Sequence, residues 1–331
     1  MEIKAAEVAK LRQMTGAGMM DCKKALVEAN GDFERAKEII REKGKLVAAK
    51  RADRETSEGT VIAKVNGEKA IVVGLGCETD FVAKNAEFQA LAEAIAETAI
   101  ANFPADKDAL MACVLADGRT VEMAVTEQTG KTGEKHVIVA YETVEAPFIS
   151  AYMHKITGKL AAVVGFNKSF DEQVAKGVAM QVASMNPVAV SAESVPQSVI
   201  DAELKTATEK TKEELVQKAV DAALTKAGIN PAHVDSEAHI ESNQAKGWIT
   251  AEQAEQAREI IKTVSAEKAA NLPEQMVANI AKGRLQKFFK EQTLEEQGYQ
   301  MGDGMTAVKD VVKAADAEAK IVTFKRVSLA D

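Results

Sequence analysis

Aromatic side chains are scarce, making up 4% of the 331 residues, with one Trp and three Tyr. A protein that stacks the bases of a single strand on ring faces would need more of them. The formal net charge of -8 and a pI near 5.3 also argue against binding nucleic acid over the whole surface. Cysteine is equally thin. Cys22, Cys77 and Cys113 are widely spaced and odd in number, so they supply neither a disulfide framework nor a thiolate zinc site and read as cytosolic thiols. No run of about 18 apolar residues occurs, and residues 1–13 carry charges throughout. Neither a membrane span nor a secretory leader is expected, and the expected location is the cytoplasm. What remains is 46% hydrophobic and 28% charged, enough to build two or more packed domains.

Catalytic signatures are missing as well. Gly130-Lys131-Thr132 looks like the end of a phosphate-binding loop, but Val125 stands where that loop needs its first glycine. Gly74-Leu75-Gly76 has Thr79 in place of the third glycine of a dinucleotide fingerprint. His136, His154, His233 and His239 form no HExxH pair and no close ligand cluster. No enzymatic role, cofactor or metal is expected.

Hydrophobic spacing divides the chain. Residues 1–54 read as three short helices: a stripe of Ala6, Leu11 and Met14, a break at Thr15-Gly16-Ala17-Gly18 where two glycines can take special backbone angles, then Met19 to Leu26, a stop at Asn30-Gly31, and a third helix capped by Asp32. This segment holds 13 Lys and Arg against 9 Asp and Glu, so it carries +4 while the remainder carries -12. A polar boundary follows at Glu55-Thr56-Ser57-Glu58-Gly59. From there the period changes. Residues 61–65 and 70–75 read as strands joined by a tight turn at Asn66-Gly67, followed by a helix from about Ala86 to Ala101.

A second unit of the same kind runs from a strand at 149–156 through Thr157-Gly158 and a strand at 160–166 to a helix with Val174, Val178 and Val182. Shifting the chain by 91 positions superposes Lys64, Gly67, Ala70, Val72, Val73 and Gly74 on identical residues, as expected of a duplicated strand, turn, strand, helix unit. Beyond Met185 the chain turns helical and charged with a narrow apolar stripe, which suits a projecting hairpin or coiled coil. Residues 319–327 read as a strand that returns to the second unit. The fold expected is therefore α+β. It has a three-helix domain at 1–54, core subdomains at 55–144 and at 145–185 with 295–331, and an inserted helical arm at 186–294.

The segment Gly74-Leu75-Gly76-Cys77-Glu78-Thr79-Asp80-Phe81-Val82-Ala83-Lys84-Asn85 resembles the core motif of the elongation factor Ts family, and Leu11-Arg12 with Thr15 through Leu26 resembles its N-terminal signature. The similarity extends from Glu58 through Gly165 and resumes over Val277 to Phe288. It departs at about residues 210–270, which are longer than in the usual family member. The chain also ends soon after Phe324-Lys325-Arg326-Val327, without a C-terminal helical module that some members carry.

The resemblance implies a nucleotide-exchange factor that binds the translation GTPase elongation factor Tu, with no nucleotide, membrane or specific nucleic acid bound by the factor itself. It implies that Thr79, Asp80, Phe81 and Val82 meet the GTPase near its magnesium site. Leu11, Arg12, Thr15, Gly16, Ala17, Gly18, Met19 and Met20 would belong to a second, N-terminal contact, and His154 would face the partner from the second hairpin. In some members the helical hairpin serves in dimerisation, so a homodimer through the arm is a further implication. The three-helix domain also resembles ubiquitin-associated (UBA) domains in fold, which implies nothing about ubiquitin. Residue type alone allows duller roles: Thr79 or Asp80 as a helix cap, Phe81 as a core aromatic, His154 as a half-exposed strand residue and Cys77 as a small buried hydrophobe. The alternative to an exchange factor is a scaffold or chaperone-like binding protein that uses the same surfaces without releasing nucleotide.

Overall fold

The computed structural model describes residues 3–330. The fold is α+β, and the chain forms two compact units: one runs up to Val190 and resumes at Leu294, the other is Ser191–Thr293.

The first unit begins with three helices, α1 (Ala5–Thr15), α2 (Met19–Glu28) and α3 (Phe33–Lys50). Gly16 takes φ +67° and returns its N–H to the Arg12 carbonyl at 2.7 Å, which ends α1 in the left-handed cap that glycine adopts without strain. Gly18 has an ordinary φ of -61° as the N-cap of α2, so only one of the two glycines uses its freedom. Asp32 caps α3 by accepting from the Glu34 and Arg35 amides at 2.8 and 3.1 Å, a contribution of about 1 kcal/mol. Val8, Leu11, Cys22, Ala25, Leu26 and Ala36 form the core of this small domain.

Next come β1 (Glu58–Asn66), β2 (Lys69–Cys77), α4 (Asp80–Ala83), α5 (Ala86–Asn102), α6 (Lys107–Ala112), α7 (Val121–Thr132) and β3 (Val137–Glu145). The three strands form an antiparallel sheet in the order β1-β2-β3. Asn66 pairs with Lys69, so the turn is Gly67-Glu68, one residue later than the Asn-Gly reading. Gly67 at φ +60° supplies the only positive angle, the pattern of a hairpin turn with glycine at its first central position. Gly130, read as part of a failed phosphate loop, lies within α7 where α3 crosses it. A Cβ there would sit 3.0 Å from the Cα of Gly44, so the glycine pair permits the close approach. Arg41 and Arg119 flank this crossing and share Glu127, at 2.9 and 2.7 Å.

A second antiparallel sheet uses β4 (Phe148–Met153) and β5 (Leu160–Phe166) and is followed by α8 (Glu172–Met185). The chain then runs through the second unit, α9 (Gln197–Lys226), α10 (Glu237–Ala245), α11 (Ala251–Ala270) and α12 (Glu274–Gln292), before α13 (Val308–Ala315) and β6 (Ile321–Ser328) complete the order β4-β5-β6. The amides of Leu294 and Glu295 bond to the carbonyls of Ala189 and Val190, both at 2.9 Å, so the points of exit and re-entry lie side by side. The second unit holds more than a helical hairpin. Val220, Leu224, Ile229, Val234, Ile240, Ile249, Ala254 and Ala257 give it a separate hydrophobic core.

The two sheets of the first unit pack face to face through Val61, Ala63, Ala70, Val72, Val144, Ile149, Ala161, Val163 and Val327. Their outer faces are covered separately, the first by α5 and α7 and the second by α8 and α13. The 91-residue repeat maps onto this geometry. Val72 and Val163 both face the partner sheet, Val73 and Val164 both face their own helices, and the ladders to β3 and β6 slip at Gly74/Leu75 and at Gly165/Phe166. The equivalence fails at the turns. Lys64 lies in a strand but Lys155 lies in a turn, because β4 ends at Met153 rather than running to Ile156, where the Gly158 amide closes back on the His154 carbonyl at 2.8 Å.

Candidate functional site

The core motif forms a single helical turn at the end of β2. Each polar atom of Thr79 is engaged there. Its N–H and Oγ1–H donate to the two carboxylate oxygens of Glu134, at 3.0 and 2.7 Å, and Oγ1 accepts the Val82 amide at 3.4 Å as the N-cap of α4. The Thr79 carbonyl accepts from the Cys77 thiol at 3.2 Å and from the Ala83 amide at 3.1 Å. At the far end of the turn, Gln89 donates to the Ala83 carbonyl at 2.6 Å. Ala83 is buried, and Val82 packs against the core of the first sheet.

On this pedestal stand the two remaining motif residues. Phe81 is 84% exposed, which removes the reading as a core aromatic. An aromatic ring left this bare is a candidate contact residue. Asp80 is half-exposed and takes a 2.7 Å ion pair from Lys84, whose ammonium holds the carboxyl below its usual range. Cys77 beneath the turn is fully buried, and burial, with the carboxylates of Glu134 and Glu58 nearby, pushes its thiol up to about 12. It is a protonated packing residue, not a nucleophile.

Glu78 ties the motif to the three-helix domain. Its carboxylate takes two bonds from Arg51 Nη1, at 2.8 and 2.9 Å, and one from the Lys135 amide at 2.6 Å. Partial burial pushes this carboxyl up, but the Lys135 N–H and the Arg51 guanidinium outweigh it and hold it below the ordinary range. The Lys135 ammonium in turn binds the carbonyls of Ala52 and Arg54, at 2.7 and 2.9 Å, just past the end of α3. His136 lies under the same loop. Its Nδ1 donates to the Glu134 carbonyl at 2.9 Å, which leaves Nε2 buried and without a partner, and burial holds the ring's pKa below the usual histidine value.

The N-terminal signature separates into two roles. Leu11 and Ala17 are core residues, and Thr15 is turned inward to bond the Leu11 carbonyl at 2.8 Å. Arg12, Gly16, Gly18, Met19 and Met20 are on the surface, with Met14 beside them. This loop lies against the end of α7, where a Cβ on Gly16 would meet Lys131 Cε at 2.4 Å. So the last turn of α7 touches the N-terminal loop at Lys131, and Glu134, just past the helix and its Gly133 cap, reaches the core motif.

His154 sits in the turn of the second hairpin, half-buried, with Nδ1 3.0 Å from the Tyr152 hydroxyl. Beside it Ile156 is 91% exposed. This turn docks on the start of β1, since the Gly158 carbonyl accepts the Val61 amide at 2.7 Å and Lys159 pairs with Glu58 at 2.6 Å. Glu58 is the ladder partner of Cys77, so the His154 turn and the Phe81 motif lie at the same end of the packed sheets. Among the described residues no group of three or more His, Cys, Asp or Glu is placed to hold a metal ion, and no helix is long and apolar enough to cross a membrane.

Comparison with known proteins decides the family. The family model described as "Elongation factor TS" matches residues 78–230 and 217–331. Proteins named "Elongation factor Ts" from Phocaeicola vulgatus and Bacteroides fragilis are 56% and 55% identical over 329 residues, and one from Porphyromonas gingivalis is 39% identical over 329, each alignment covering 99% of both chains. The chain belongs to the elongation factor Ts family. The two stretches matched by the family model overlap at 217–230, inside the arm. The relatives align along their whole length, so the arm is common to them. Phe81, Met19 and Met20, which the resemblance singles out, are all exposed. The resemblance did not lead sequence reading to Glu134, Arg51 or Lys135, whose roles depend on contacts across 27 to 57 positions, with no short motif to signal them.

Proposed function

We propose that this chain, a translation elongation factor by family, acts on the GTPase elongation factor Tu and accelerates release of bound GDP so that GTP can replace it. A GTPase holds its diphosphate through a glycine-rich loop, a lysine and a magnesium ion, so a release factor must favour the conformation in which those contacts are broken. Asp80 and Phe81 would enter near the magnesium site, Phe81 by inserting between partner helices and Asp80 by drawing off groups that support the ion. Full burial of the ring is worth about 1.5–3 kcal/mol, and each 1.4 kcal/mol taken from the release barrier is about tenfold in rate. The factor needs no covalent chemistry of its own. Linkage makes the effect reciprocal, so GDP or GTP displaces the factor in turn. Such a factor works in the cytoplasm, where elongation occurs.

The observation that carries this reading is a nearly bare Phe81 beside Asp80 on a rigidly tethered turn, in a chain of this family. Arg12, Met19, Met20 and the His154 turn would supply the remaining contacts. The arm leaves Leu204, Met276 and Ile280 exposed, which supports self-association by helix packing; sedimentation showing only monomer at micromolar concentration would remove that part. The main test is the release rate of fluorescent GDP from elongation factor Tu of the same source, with and without this protein and its Asp80→Ala, Phe81→Ala variant. Acceleration by the wild type that the variant largely loses is expected. Binding without acceleration would favour a scaffold.

A further inference from the structure

We propose that Glu134 is a positioning residue for the exchange motif: by gripping Thr79 it keeps α4 formed in the free protein, so that Asp80 and Phe81 reach the partner already in their binding shape. The proposal rests on the exchange reading above for its kinetic consequences, but its structural half can be tested without the partner.

A four-residue helix cannot hold itself. Forming one turn fixes several backbone angles for a single hydrogen bond, so nucleation is unfavourable and an isolated turn melts in water. The N-cap therefore has to be immobilised from outside the turn. Glu134 does this with both oxygens, one on the Thr79 amide and one on its hydroxyl, which also sets the rotamer that aims Oγ1 at the Val82 amide. These bonds are charge-assisted and stronger than bonds between neutral groups. Glu134 is anchored in its own right. Its amide donates to Thr132 Oγ1 at 3.1 Å, and its carbonyl accepts from His136 Nδ1 at 2.9 Å. The grip thus connects the motif to the end of α7 and to buried structure under the first sheet.

If the turn were populated only part of the time, the apparent dissociation constant would rise by the inverse of that fraction, while the bound complex stayed the same. The predicted signature is therefore specific. Glu134→Ala should raise the factor concentration that half-saturates GDP release about tenfold and leave the plateau rate within about twofold, whereas Phe81→Ala should lower the plateau. Thr79→Val should loosen the turn in the free protein as Glu134→Ala does, read by amide exchange at Val82, Ala83 and Lys84, and the double variant should be no looser than the poorer single one, because both break the Thr79–Glu134 contact.

The deciding experiment combines this titration with amide hydrogen exchange on the free, full-length protein. Glu134→Ala should speed exchange at Thr79, Val82, Ala83 and Lys84 at least tenfold, with the strands of both sheets unchanged. Glu134→Gln keeps the side-chain size and one acceptor but loses the charge. It should show both effects at about threefold, and it carries the test if the alanine variant does not fold. Unchanged exchange at residues 79–84 would overturn the proposal whether or not the protein releases nucleotide. A lowered plateau with unchanged half-saturation would overturn it as well, by moving Glu134 into the bound complex. If the wild type fails to accelerate release, the exchange reading falls and the amide data alone decide the positioning role.

Discussion

Replacing Phe81 with alanine should separate binding from folding. The ring is 84% exposed and α4 is held by Thr79, Gln89 and buried Ala83 rather than by Phe81. Its loss should therefore change stability by no more than about 0.5 kcal/mol, as for other surface substitutions. For a unit of this size that is about 1–2 °C in Tm. In a complex the same ring would pass from water to a protein interior, and losing about 1.5–3 kcal/mol of burial weakens the dissociation constant by roughly 10- to 150-fold. Calorimetry of the free variant and titration against GDP-loaded elongation factor Tu give the two numbers. A Tm fall of more than about 5 °C would mean that the ring supports the fold. An unchanged affinity would mean that the exposed ring is not where the partner docks. Either result would refute the argument that exposure of Phe81 is kept for contact.

Other perturbations test the scaffold beneath the motif. Gly130→Val should cost about 1–3 kcal/mol by overpacking the crossing of α3 and α7, where even a methyl group would lie 3.0 Å from Gly44 Cα; an unchanged thermal midpoint would show that the helices can part. His136 is held neutral by burial, so the unfolded chain takes up a proton near pH 6.5 before the folded one does. Stability should be full above that pH and should fall, by up to about 1.4 kcal/mol per pH unit, as pH drops from the unfolded toward the folded pKa. In His136→Leu, urea unfolding at about pH 7 and about pH 5.5 should differ by less than in the wild type, and an equal difference would exclude this histidine as the source. Arg51→Met should raise the titration midpoint of Glu78, read by carboxyl carbon NMR; no movement would leave the Lys135 amide as its sole support.

Much of this fold was legible because its signals are local. Asp32 before an amphipathic run marks a helix start, and the identities at Val72, Val73 and Gly74 betray the repeat because a strand sends alternate residues to opposite faces. Where reading failed, the cause was a contact distant in sequence or a competing local bond. The first hairpin turn is one residue off because the Asn66–Lys69 pair set the register. β4 stops short because Gly158 closes the turn on His154. The helices α6 and α7 and strand β3 went unread, although β3 completes the first sheet, because its outer residues are only partly buried and blur the alternation. For the site, family resemblance pointed to Thr79–Val82 but not to what holds them: a carboxylate 55 positions away leaves no spacing to recognise.

The duplication explains why the candidate contacts converge. Two sheets built alike to the level of a slipped register at Gly74 and Gly165 pack face to face with their hairpins running in opposite directions: the Gly158–Val61 bond sets the second turn at the open end of the first hairpin, and the Ala146–Glu68 bond sets the first turn at the start of the second. Each copy has changed at a different place. The first keeps a two-residue turn and carries its chemistry past the end of β2, in the helix that presents Asp80 and Phe81. The second carries a wider turn, with His154 and a bare Ile156, and follows β5 with the loop into α8. The Gly158–Val61 bond and the Lys159–Glu58 pair lock that turn beside the strand end from which the motif emerges. On the exchange reading this matters energetically. Contacts whose backbone is already fixed by bonds such as Thr79–Glu134 and Gly158–Val61 do not incur their ordering cost on association, so more of the free energy of docking is available to oppose the nucleotide.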